Sequence, residues 1–301
     1  MHDIVIIGGG PAGLTAALYA RRANKSVLVI EKGSFGGQIT FSPKVENIPG
    51  FAEVTGNEFA EKLVEQVLAL DADVECAEVL GLRDGAVKTV VTDSGEFEAK
   101  AVIVATGAKH RLLGLPNEEN LIGEGISFCA VCDGAFYEGR TVAVIGGGNS
   151  ALQEAILLSE LAAKVYVVQN LDTFTGEQKL VDILLAKENV EVVLGTVVEA
   201  LIGETTLAGI TVRDTHTDAT RDIALDGMFV AIGLVPQNDI VADVVALDER
   251  GYVAAGETCR TNSEGVFVAG DCRAKAIRQV GTAASDGAVA ALAACDYIDG
   301  L

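Results

Sequence analysis

Short apolar runs recur along the chain, and segments with helical periodicity follow them. Residues 3–7 form one such run, residues 14–22 then have a helical pattern, and a second apolar run covers residues 26–30. The same succession begins again at residues 141–145. Continuous apolar runs of this length are typical of strands buried on both faces of a parallel sheet. The pattern therefore predicts an α/β protein containing two strand–helix–strand units.

The turn after the first strand is rich in glycine. Gly8, Gly10 and Gly13 form a G-x-G-x-x-G pattern between a strand and a helix. The first glycine permits a tight turn, the second admits a pyrophosphate to the backbone, and the third lets the helix pack against the strand. Glu31 follows the second strand, where a carboxylate accepts hydrogen bonds from a ribose diol. We interpret this segment as a dinucleotide site rather than a merely structural turn.

The second unit repeats the fingerprint but not the residue that reads the ribose. Gly146, Gly148 and Ala151 form the accepted variant G-x-G-x-x-A. Gly8 and Glu31 are 23 positions apart, and the residue 23 positions after Gly146 is Gln169, which has no carboxylate. Residues 170–175 contain no arginine that could bind a 2′-phosphate. The second unit is therefore predicted to keep the fold of a nicotinamide module without its usual recognition groups.

Two later apolar runs fit the first unit rather than the second. Residues 101–107 and 265–271 each read as a buried strand that ends in a tight turn, and residues 282–297 read as a final helix. Ligands of open α/β sheets bind beyond the carboxyl ends of strands. We therefore expect two Rossmann-like dinucleotide-binding domains with three-layer ββα architecture, the second inserted in the first. The expected boundaries are residues 1–114 and 244–301 for the split domain and 115–243 for the inserted one.

The charge of the chain narrows the range of partners. The 301 residues include 22 basic and 43 acidic side chains, which gives a net charge of −21. Nucleic acids and anionic membranes are poor partners for so acidic a surface. No apolar run approaches the ~20 residues that a membrane span requires, and no cationic segment precedes the first apolar run. We expect a cytoplasmic protein.

Two of the six cysteines form a C-x-x-C motif. Cys129 and Cys132 are followed directly by Asp133. A zinc site needs four ligands, and the sequence has neither a second C-x-x-C nor a histidine pair; a purely structural disulfide is unusual in the cytoplasm. We therefore favour a redox-active dithiol, with Asp133 either protonating a departing thiolate or capping the next helix. The other cysteines are predicted to be buried small hydrophobic residues: Cys76, Cys259, Cys272 and Cys295.

A dinucleotide site, a dithiol and a degraded nicotinamide module together indicate a flavin. A flavin exchanges electrons with a dithiol and accepts them singly or in pairs from a donor. From end to end, the chain resembles the low-molecular-weight thioredoxin reductases. The motifs that carry the resemblance are residues 8–13, 36–38, 45–50, 105–107, 129–134, 146–151 and 270–271, with Arg278-Gln279 and Thr282-Ala283.

The resemblance implies a non-covalent FAD in the split domain and a homodimer. It also implies that the inserted domain rotates, so that its dithiol meets either the flavin or thioredoxin. Cys132 would face the flavin, and Cys129 would attack the disulfide of thioredoxin. Carried over by position, the resemblance assigns the pyrophosphate to Gly8, Gly10 and Gly13 and the adenosine ribose to Glu31. It places Gln38 and Asn47 near the flavin ring. Asp271 would contact the ribityl chain, and Arg278 and Gln279 follow along the flavin. The remaining candidate FAD contacts are Pro11, Ala12, Lys32, Gly37, Thr106, Gly107, Gly270 and Val280.

The chain departs from NADPH-dependent members of this family in residues 169–175. Those members have a His-Arg-Arg run and a further arginine after the second fingerprint, whereas this chain has Gln-Asn-Leu-Asp-Thr-Phe-Thr. Charge-assisted contacts are worth ~1.5–3 kcal/mol each. The departure makes the chain most similar to the ferredoxin-dependent flavin thioredoxin reductases, which receive single electrons from a reduced iron–sulfur protein.

Other functions remain open from the sequence. The chain could be a dithiol oxidase that passes electrons to oxygen, a reductase with a second flavin in the vacated site, a redox-sensing module, or a pyridine-nucleotide reductase with atypical contacts. A ferredoxin donor also requires a locally basic face, because ferredoxins are usually acidic. The candidate residues for that face are Arg21, Arg22, Lys25, Lys109, His110, Arg111, Arg273, Lys275 and Arg278.

Overall fold

The computed structural model describes residues 1–42 and 45–301. None of the helices in this described part combines the length and apolar character needed to cross a membrane. The helices are α1 (Pro11–Arg22), α2 (Gly56–Leu68), α3 (Ala130–Asp133), α4 (Asn149–Ser159), α5 (Gln178–Leu185) and α6 (Val280–Asp299). The strands are β1 (His2–Ile7), β2 (Val27–Glu31), β3 (Asp73–Cys76), β4 (Val79–Arg83), β5 (Lys88–Thr92), β6 (Glu96–Val104), β7 (Ala108–His110), β8 (Ile126–Ser127), β9 (Thr141–Ile145), β10 (Lys164–Val168), β11 (Val190–Val193), β12 (Thr196–Ile202), β13 (Gly209–Asp214), β14 (Thr220–Ala224), β15 (Gly227–Val230), β16 (Leu234–Pro236) and β17 (Val266–Val268).

The chain divides into two compact units, and the first is discontinuous. The first unit comprises residues 1–109 and 235–301, and the second comprises residues 110–234. Both transitions come earlier in the chain than the boundaries expected from the sequence. Asn238 explains the second transition, because its amide donates to the carbonyl oxygens of Gly251 and Cys272, both at 2.8 Å. These bonds tie the segment after residue 235 to the first unit.

The first unit is built on a sheet that is covered on both faces. Its parallel strands lie in the order β3-β2-β1-β6, β17 also pairs with β6, and β5 and β4 continue the sheet antiparallel. Ile4 and Ile6 pack into the core that includes residues of α1 and α6. Val5 and Ile7 pack into the opposite core, with residues of β4 and β5. Burial of alternate side chains on both faces explains the continuous apolar run that predicted this strand.

The second unit repeats these layers. Its parallel sheet has the order β11-β10-β9-β15-β8, and β12, β13 and β14 form a separate antiparallel sheet. Val142 and Val144 face the core that includes α4 and α5. Ala143 and Ile145 face the core shared with the antiparallel sheet. The predicted α/β fold class with two Rossmann-like halves is confirmed.

The isolated cysteines do not all behave as predicted. Cys259, Cys272 and Cys295 are buried, but Cys76 is exposed. Cys76 ends β3, which lies at the edge of its sheet and has solvent-exposed residues along most of its length. The prediction for Cys76 was wrong because an edge strand leaves its side chains open to solvent.

A buried charge cluster anchors the start of α6 to the loop after β17. The Asp286 carboxylate accepts hydrogen bonds from Arg273 Nε and Nη2, each at 2.9 Å, and from Lys275 Nζ at 3.0 Å. It also accepts the Gly270 N–H at 3.1 Å. Burial alone would raise the pKa of Asp286, but the two cations hold that pKa below its ordinary value. Arg273 and Lys275 are only 4% and 6% exposed, so these two candidates for a basic docking face are not available to a partner.

Removal of Asp286 is predicted to destabilise the protein strongly. In Asp286→Ala the buried Arg273 and Lys275 lose their common partner, and they keep only Glu257 at 3.4 Å and Asp271 at 3.2 Å respectively. Removal of one partner from a buried ion pair costs up to about 3–5 kcal/mol. Asp299→Ala is the control. Asp299 lies on the same helix as Asp286, but it is exposed and pairs with Lys25, and such pairs contribute at most about 1 kcal/mol. Urea unfolding measures both. Equal unfolding midpoints for the two variants would contradict the assigned role of the cluster.

Candidate active site

The first glycine-rich turn is held by contacts that exclude side chains. Gly8 has φ +112°, and a Cβ there would lie 2.2 Å from the Ala105 carbonyl oxygen. A Cβ on Gly13 would lie 1.9 Å from the carbonyl oxygen of Gly8. At Gly10, by contrast, the nearest atoms to an added Cβ are 3.9 Å away. The turn is thus closed on the protein side and open at the position predicted to face a pyrophosphate.

The start of α1 fits an anionic group. Gly10 is the N-cap, its first turn contains no acidic residue, and no side chain in the described residues caps it. Pro11 occupies the first turn, where a missing N–H costs nothing. Free backbone N–H groups at a helix start form an anion site. The residues present therefore fit the pyrophosphate of a dinucleotide.

Glu31 lies at the same turn. Its Oε2 accepts the Gly9 N–H at 2.8 Å, and its Oε1 accepts the Gly33 N–H at 2.9 Å. A carboxylate has about four acceptor positions, so two remain for the hydroxyls of a ribose. Neighbouring Lys32 forms an exposed ion pair with Glu78 at 3.7 Å. The backbone bonds to Glu31 orient the predicted ribose-binding carboxylate before any ligand arrives.

Further predicted FAD contacts meet at the ends of adjacent parallel strands. Thr106 and Gly107 follow β6, and Gly270 and Asp271 follow β17, which pairs with β6. Asp271 Oδ1 is ion-paired with Lys275 Nζ at 3.2 Å. Burial raises the pKa of Asp271 against the opposing charge of Lys275. These four residues therefore lie at the carboxyl ends of the strands, where open α/β folds bind ligands.

Residues distant in sequence are also brought together beside the start of α6. Asn47 Nδ2 donates to Gln279 Oε1 at 3.2 Å, and Gln279 is the N-cap before Val280. Arg278 donates to the Asp271 carbonyl oxygen at 3.3 Å, and its guanidinium lies 4.1 Å from the centre of the Tyr252 ring. Ala12 lies in α1, and Gly37 and Gln38 begin the short 3₁₀ helix Gly37–Phe41.

The second glycine-rich turn keeps the backbone geometry of the first. Gly146 has φ +133°, and a Cβ there would lie 2.5 Å from the Ala231 carbonyl oxygen. Such a Cβ would also lie 3.2 Å from the Cβ of Ala151. Gly148 is the N-cap of α4, and no side chain in the described part of the chain caps it. The fold of a nucleotide module is therefore retained in the second unit.

The groups that would read a nicotinamide nucleotide differ from those in the first unit. Gln169 is 5% exposed, and its amide donates to the Thr173 carbonyl oxygen at 3.4 Å. The following segment folds back on the glycine turn, since the Thr175 N–H donates to the Gly147 carbonyl oxygen at 2.9 Å. Asp172 accepts a 2.6 Å contact from His216 and raises the pKa of that histidine. Gln169, which occupies the position of Glu31 in the second unit, is thus an inward-facing amide. The carboxylate of Asp172 follows it in the chain.

The C-x-x-C motif forms a disulfide at the start of a short helix. Cys129 is the N-cap of α3, and its Sγ is bonded to Cys132 with the two Cα atoms 5.3 Å apart. Ser127 Oγ accepts the Cys129 N–H at 3.2 Å and donates to Asp133 Oδ2 at 2.5 Å. Val131, between the cysteines, is 64% exposed. The exposed Val131 marks the motif as accessible to a partner on at least one side.

Two carboxylates, one in α3 and one in α4, which packs against α3, have raised pKa values. Burial raises the pKa of Asp133, although the Ser127 hydroxyl opposes the shift. Burial also raises the pKa of Glu154, in α4, to about 7, against a hydrogen bond from the Ala130 N–H. Asp133 precedes the 3₁₀ helix Gly134–Tyr137, but its side chain makes no capping bond to it. The geometry therefore favours the acid function of Asp133 over the capping function.

Sequence reasoning missed both Ser127 and Glu154. A signal for Glu154 was present, because Ala151, Ala155 and Leu158 form a buried stripe at helical spacing and Glu154 lies within it. A carboxylate on such a stripe predicts a shifted pKa. Ser127 had no comparable signal.

Comparison with known proteins assigns the chain to a family. The family model described as pyridine nucleotide-disulphide oxidoreductase matches residues 2–287. The chain belongs to this family. A thioredoxin reductase of Treponema pallidum is 42% identical over 100% of this chain and 98% of its own length. A protein of Clostridium pasteurianum described as a 34.2 kDa protein in the rubredoxin operon is 40% identical over 99% of this chain and 97% of its own length.

A solved structure supports the same assignment. The thioredoxin reductase of Streptococcus pyogenes superposes with a TM-score of 0.94, at 38% identity, and covers 100% of this chain and 99% of its own. The resemblance to the low-molecular-weight thioredoxin reductases is thereby confirmed at the level of the family. The cofactor of this family is FAD, and the cradle around Gly10 and Glu31 fits it. The enzyme is a flavin-dependent disulfide oxidoreductase.

The buried carboxyl of Glu154 predicts a pH-dependent stability. Its folded pKa of about 7 exceeds its ordinary value of 4.5, so its contribution is present at low pH and is lost as the pH rises through about 7. Glu154→Gln removes this loss, and the variant should gain up to about 3 kcal/mol over the wild type at alkaline pH. Urea unfolding at a series of pH values measures the difference. A difference that does not change with pH would contradict the buried, titrating carboxyl.

Proposed function

We propose that this protein is a thioredoxin reductase whose FAD receives single electrons from reduced ferredoxin rather than a hydride from NADPH. The observation that carries the proposal is the segment 169–175, which keeps the nucleotide fold but has lost the arginines of NADPH-dependent relatives. Gln169 is turned into the protein, and Asp172 adds negative charge. Three missing charge-assisted contacts, at ~1.5–3 kcal/mol each, lower NADPH affinity by orders of magnitude.

The cysteine pair carries the disulfide chemistry. When bound, FAD accepts single electrons and delivers a pair of them to a disulfide. Reduction of the Cys129–Cys132 disulfide consumes two electrons and two protons and leaves two thiols. Cys132 faces the flavin in this proposal, and Cys129 is the attacking thiol. The Cys129 thiolate attacks the disulfide of thioredoxin and forms a mixed disulfide. Cys132 then resolves it by attacking the Cys129 sulfur.

Asp133 supplies the proton that this exchange requires. The thioredoxin thiolate leaves faster when it is protonated on departure. Asp133 follows Cys132 directly, and burial raises its pKa, which favours the protonated form more than in an exposed carboxyl. Ser127 fixes one of its oxygens at 2.5 Å and also binds the backbone of Cys129. The same serine thus aligns the acid with the cysteine loop.

Fewer of the candidate cations are available to an acidic donor than the sequence suggested. Arg22, Lys109 and Arg111 are exposed cations. Lys25 is ion-paired with Asp299, and burial lowers the pKa of His110 to about 4, so that this histidine is neutral near pH 7. Arg21 donates to the carbonyl oxygens of Leu70 and Lys25. We propose that the exposed cations, rather than the net charge of −21, orient an acidic donor.

The assembly and the domain motion belong to the same proposal. We infer a cytoplasmic homodimer in which each split domain binds FAD and each inserted domain carries one cysteine pair. Rotation of the inserted domain would present that pair alternately to the flavin and to thioredoxin. The compact second unit, residues 110–234, is the segment that would rotate.

An anaerobic assay distinguishes the donors. FAD-loaded enzyme should reduce thioredoxin rapidly with photoreduced ferredoxin and at least about 100-fold more slowly with NADPH at micromolar concentration, because one lost contact of 1.4 kcal/mol already costs tenfold. Cys132→Ser is the matched inactive control. Turnover with micromolar NADPH would contradict the proposal. Rapid oxygen consumption with a small dithiol, without thioredoxin reduction, would identify a dithiol oxidase instead.

Restoring the missing charges should restore nucleotide affinity. Asn170, Leu171 and Thr175 are exposed, and the triple variant N170R, L171R and T175R should bind NADPH at least about tenfold more tightly than the wild type. Thr173→Arg adds a cation to the same exposed segment at a position where the family has none, and serves as the control. Isothermal titration calorimetry measures the NADPH affinity of the triple variant and of the control. An equal gain in the control would show that the effect is one of general charge.

A further inference from the structure

Tyr252 is a buried aromatic residue to which neither the sequence motifs nor the disulfide chemistry assigns a role. It is 6% exposed, and the centre of its ring lies 4.1 Å from the guanidinium carbon of Arg278. Within about 6 Å a cation is attracted to the face of an aromatic ring, and exclusion of water strengthens the attraction. The buried ring of Tyr252 therefore restricts the position of the Arg278 guanidinium.

Arg278 in turn fastens the loop that follows β17. Its Nε donates to the carbonyl oxygen of Asp271 at 3.3 Å, and its Nη2 donates to the carbonyl oxygen of Arg273 at 3.4 Å. These acceptors precede Arg278 by seven and five residues, so the guanidinium closes the loop on itself. A side chain held by a ring and by two carbonyl oxygens has little freedom to move.

The backbone around Tyr252 gives the ring a fixed place. The Tyr252 N–H donates to the Asp248 carboxylate at 2.9 Å, and the Asp248 N–H donates to the Tyr252 carbonyl oxygen at 2.8 Å. The next residue, Val253, donates its N–H to the carbonyl oxygen of Cys272 at 3.0 Å. Cys272 follows Asp271 in the loop that Arg278 fastens. The ring and the loop are thus joined both through the backbone and through the guanidinium.

The fastened loop borders the cradle that fits the cofactor. Gly270 and Asp271 begin the loop at the carboxyl end of β17. A Cβ on Gly270 would lie 2.8 Å from the Cβ of Ala12, in the first turn of α1. Asp271 Oδ1 is ion-paired with Lys275 at 3.2 Å, but it is buried and has no hydrogen bond among the described residues. Buried polar atoms are normally hydrogen-bonded, so a ligand hydroxyl would complete this site.

We propose that Tyr252 is a positioning residue for FAD, which holds Arg278 and, through Arg278, the Asp271 loop in the arrangement that receives the ribityl chain. Tyr252 acts without touching the cofactor itself. Without the ring, Arg278 keeps only its two carbonyl acceptors, and the loop is held less firmly beside the start of α1. The inference concerns retention of the cofactor, so it holds whether ferredoxin or a nicotinamide supplies the electrons.

The FAD dissociation constant of the holoenzyme tests the proposal. Tyr252→Leu removes the ring and should raise this constant about tenfold, within the range of a cation–π contact shielded from water. Tyr252→Phe keeps a ring and should remain within about twofold of the wild type. Diluted holoenzyme is brought to equilibrium, free FAD is separated by ultrafiltration, and its fluorescence gives the constant.

Tyr297→Leu is the matched control. Tyr297 is a half-buried ring of the same unit, and it packs edge-on against Phe267 with the ring centres 6.2 Å apart. It also lies beside Gly265, which directly precedes β17, so it is at the opposite end of that strand from Asp271. The control therefore loses a ring of the same kind without disturbing the Arg278 loop. It should keep the wild-type FAD affinity.

A double-mutant cycle tests whether Tyr252 acts through Arg278. Arg278→Met removes the charge and keeps an unbranched side chain, and alone it should weaken FAD binding at least as much as Tyr252→Leu. Adding Tyr252→Leu to Arg278→Met should then change the FAD dissociation constant little, because the two residues share one interaction. A merely structural role of the ring would give the same loss of affinity in both backgrounds, and that result would overturn the proposal.

Two further results would overturn it. One is an FAD affinity in Tyr252→Leu equal to that of Tyr297→Leu. The other is an unchanged affinity in Arg278→Met, which decides the question even if Tyr252→Leu does not fold. The donor assay and this test can fail separately, because FAD binding is measured in the absence of any electron donor.

Discussion

Both halves of this molecule depend on a close approach between backbone atoms at a strand–turn–helix junction. In the first unit the space for a Cβ on Gly8 is taken by the carbonyl oxygen of Ala105, at 2.2 Å. In the second unit Gly146 meets the carbonyl oxygen of Ala231 in the same way, at 2.5 Å. A side chain at either glycine would push the turn away from the end of the neighbouring strand. The constraint aims each helix start outward, and it explains why both junctions use glycine.

The same backbone geometry supports two different chemistries because the side chains beyond it differ. Glu31 is oriented by two backbone N–H groups and keeps acceptor positions free for a ribose. Gln169 is turned inward, and Asp172 follows it. One helix start therefore faces a site that fits FAD. The other is followed by an amide and a carboxylate, and the proposal of a donor other than NADPH rests on this difference.

Local pattern was enough to predict the fold, but not the contacts between distant elements. The buried strands and both glycine turns follow from apolar runs and spacing, because those signals lie within about thirty residues of chain. The burial of Arg273 and Lys275 could not be predicted, since their partner Asp286 is on a later helix. Glu154 was different: burial is the main cause of its raised pKa, and its place on the buried stripe of α4 was a local signal in the sequence. The second unit ends earlier in the chain than expected because Asn238 is hydrogen-bonded to residues of the first unit.

The absorbance of the flavin tests most directly which donor supplies the electrons. The FAD-loaded protein is titrated anaerobically with reduced ferredoxin, NADPH and NADH in separate cells, and bleaching of the yellow flavin is followed. Stoichiometric bleaching by ferredoxin, with neither nicotinamide effective at equimolar concentration, is the predicted result. Bleaching by one equivalent of NADPH would contradict it.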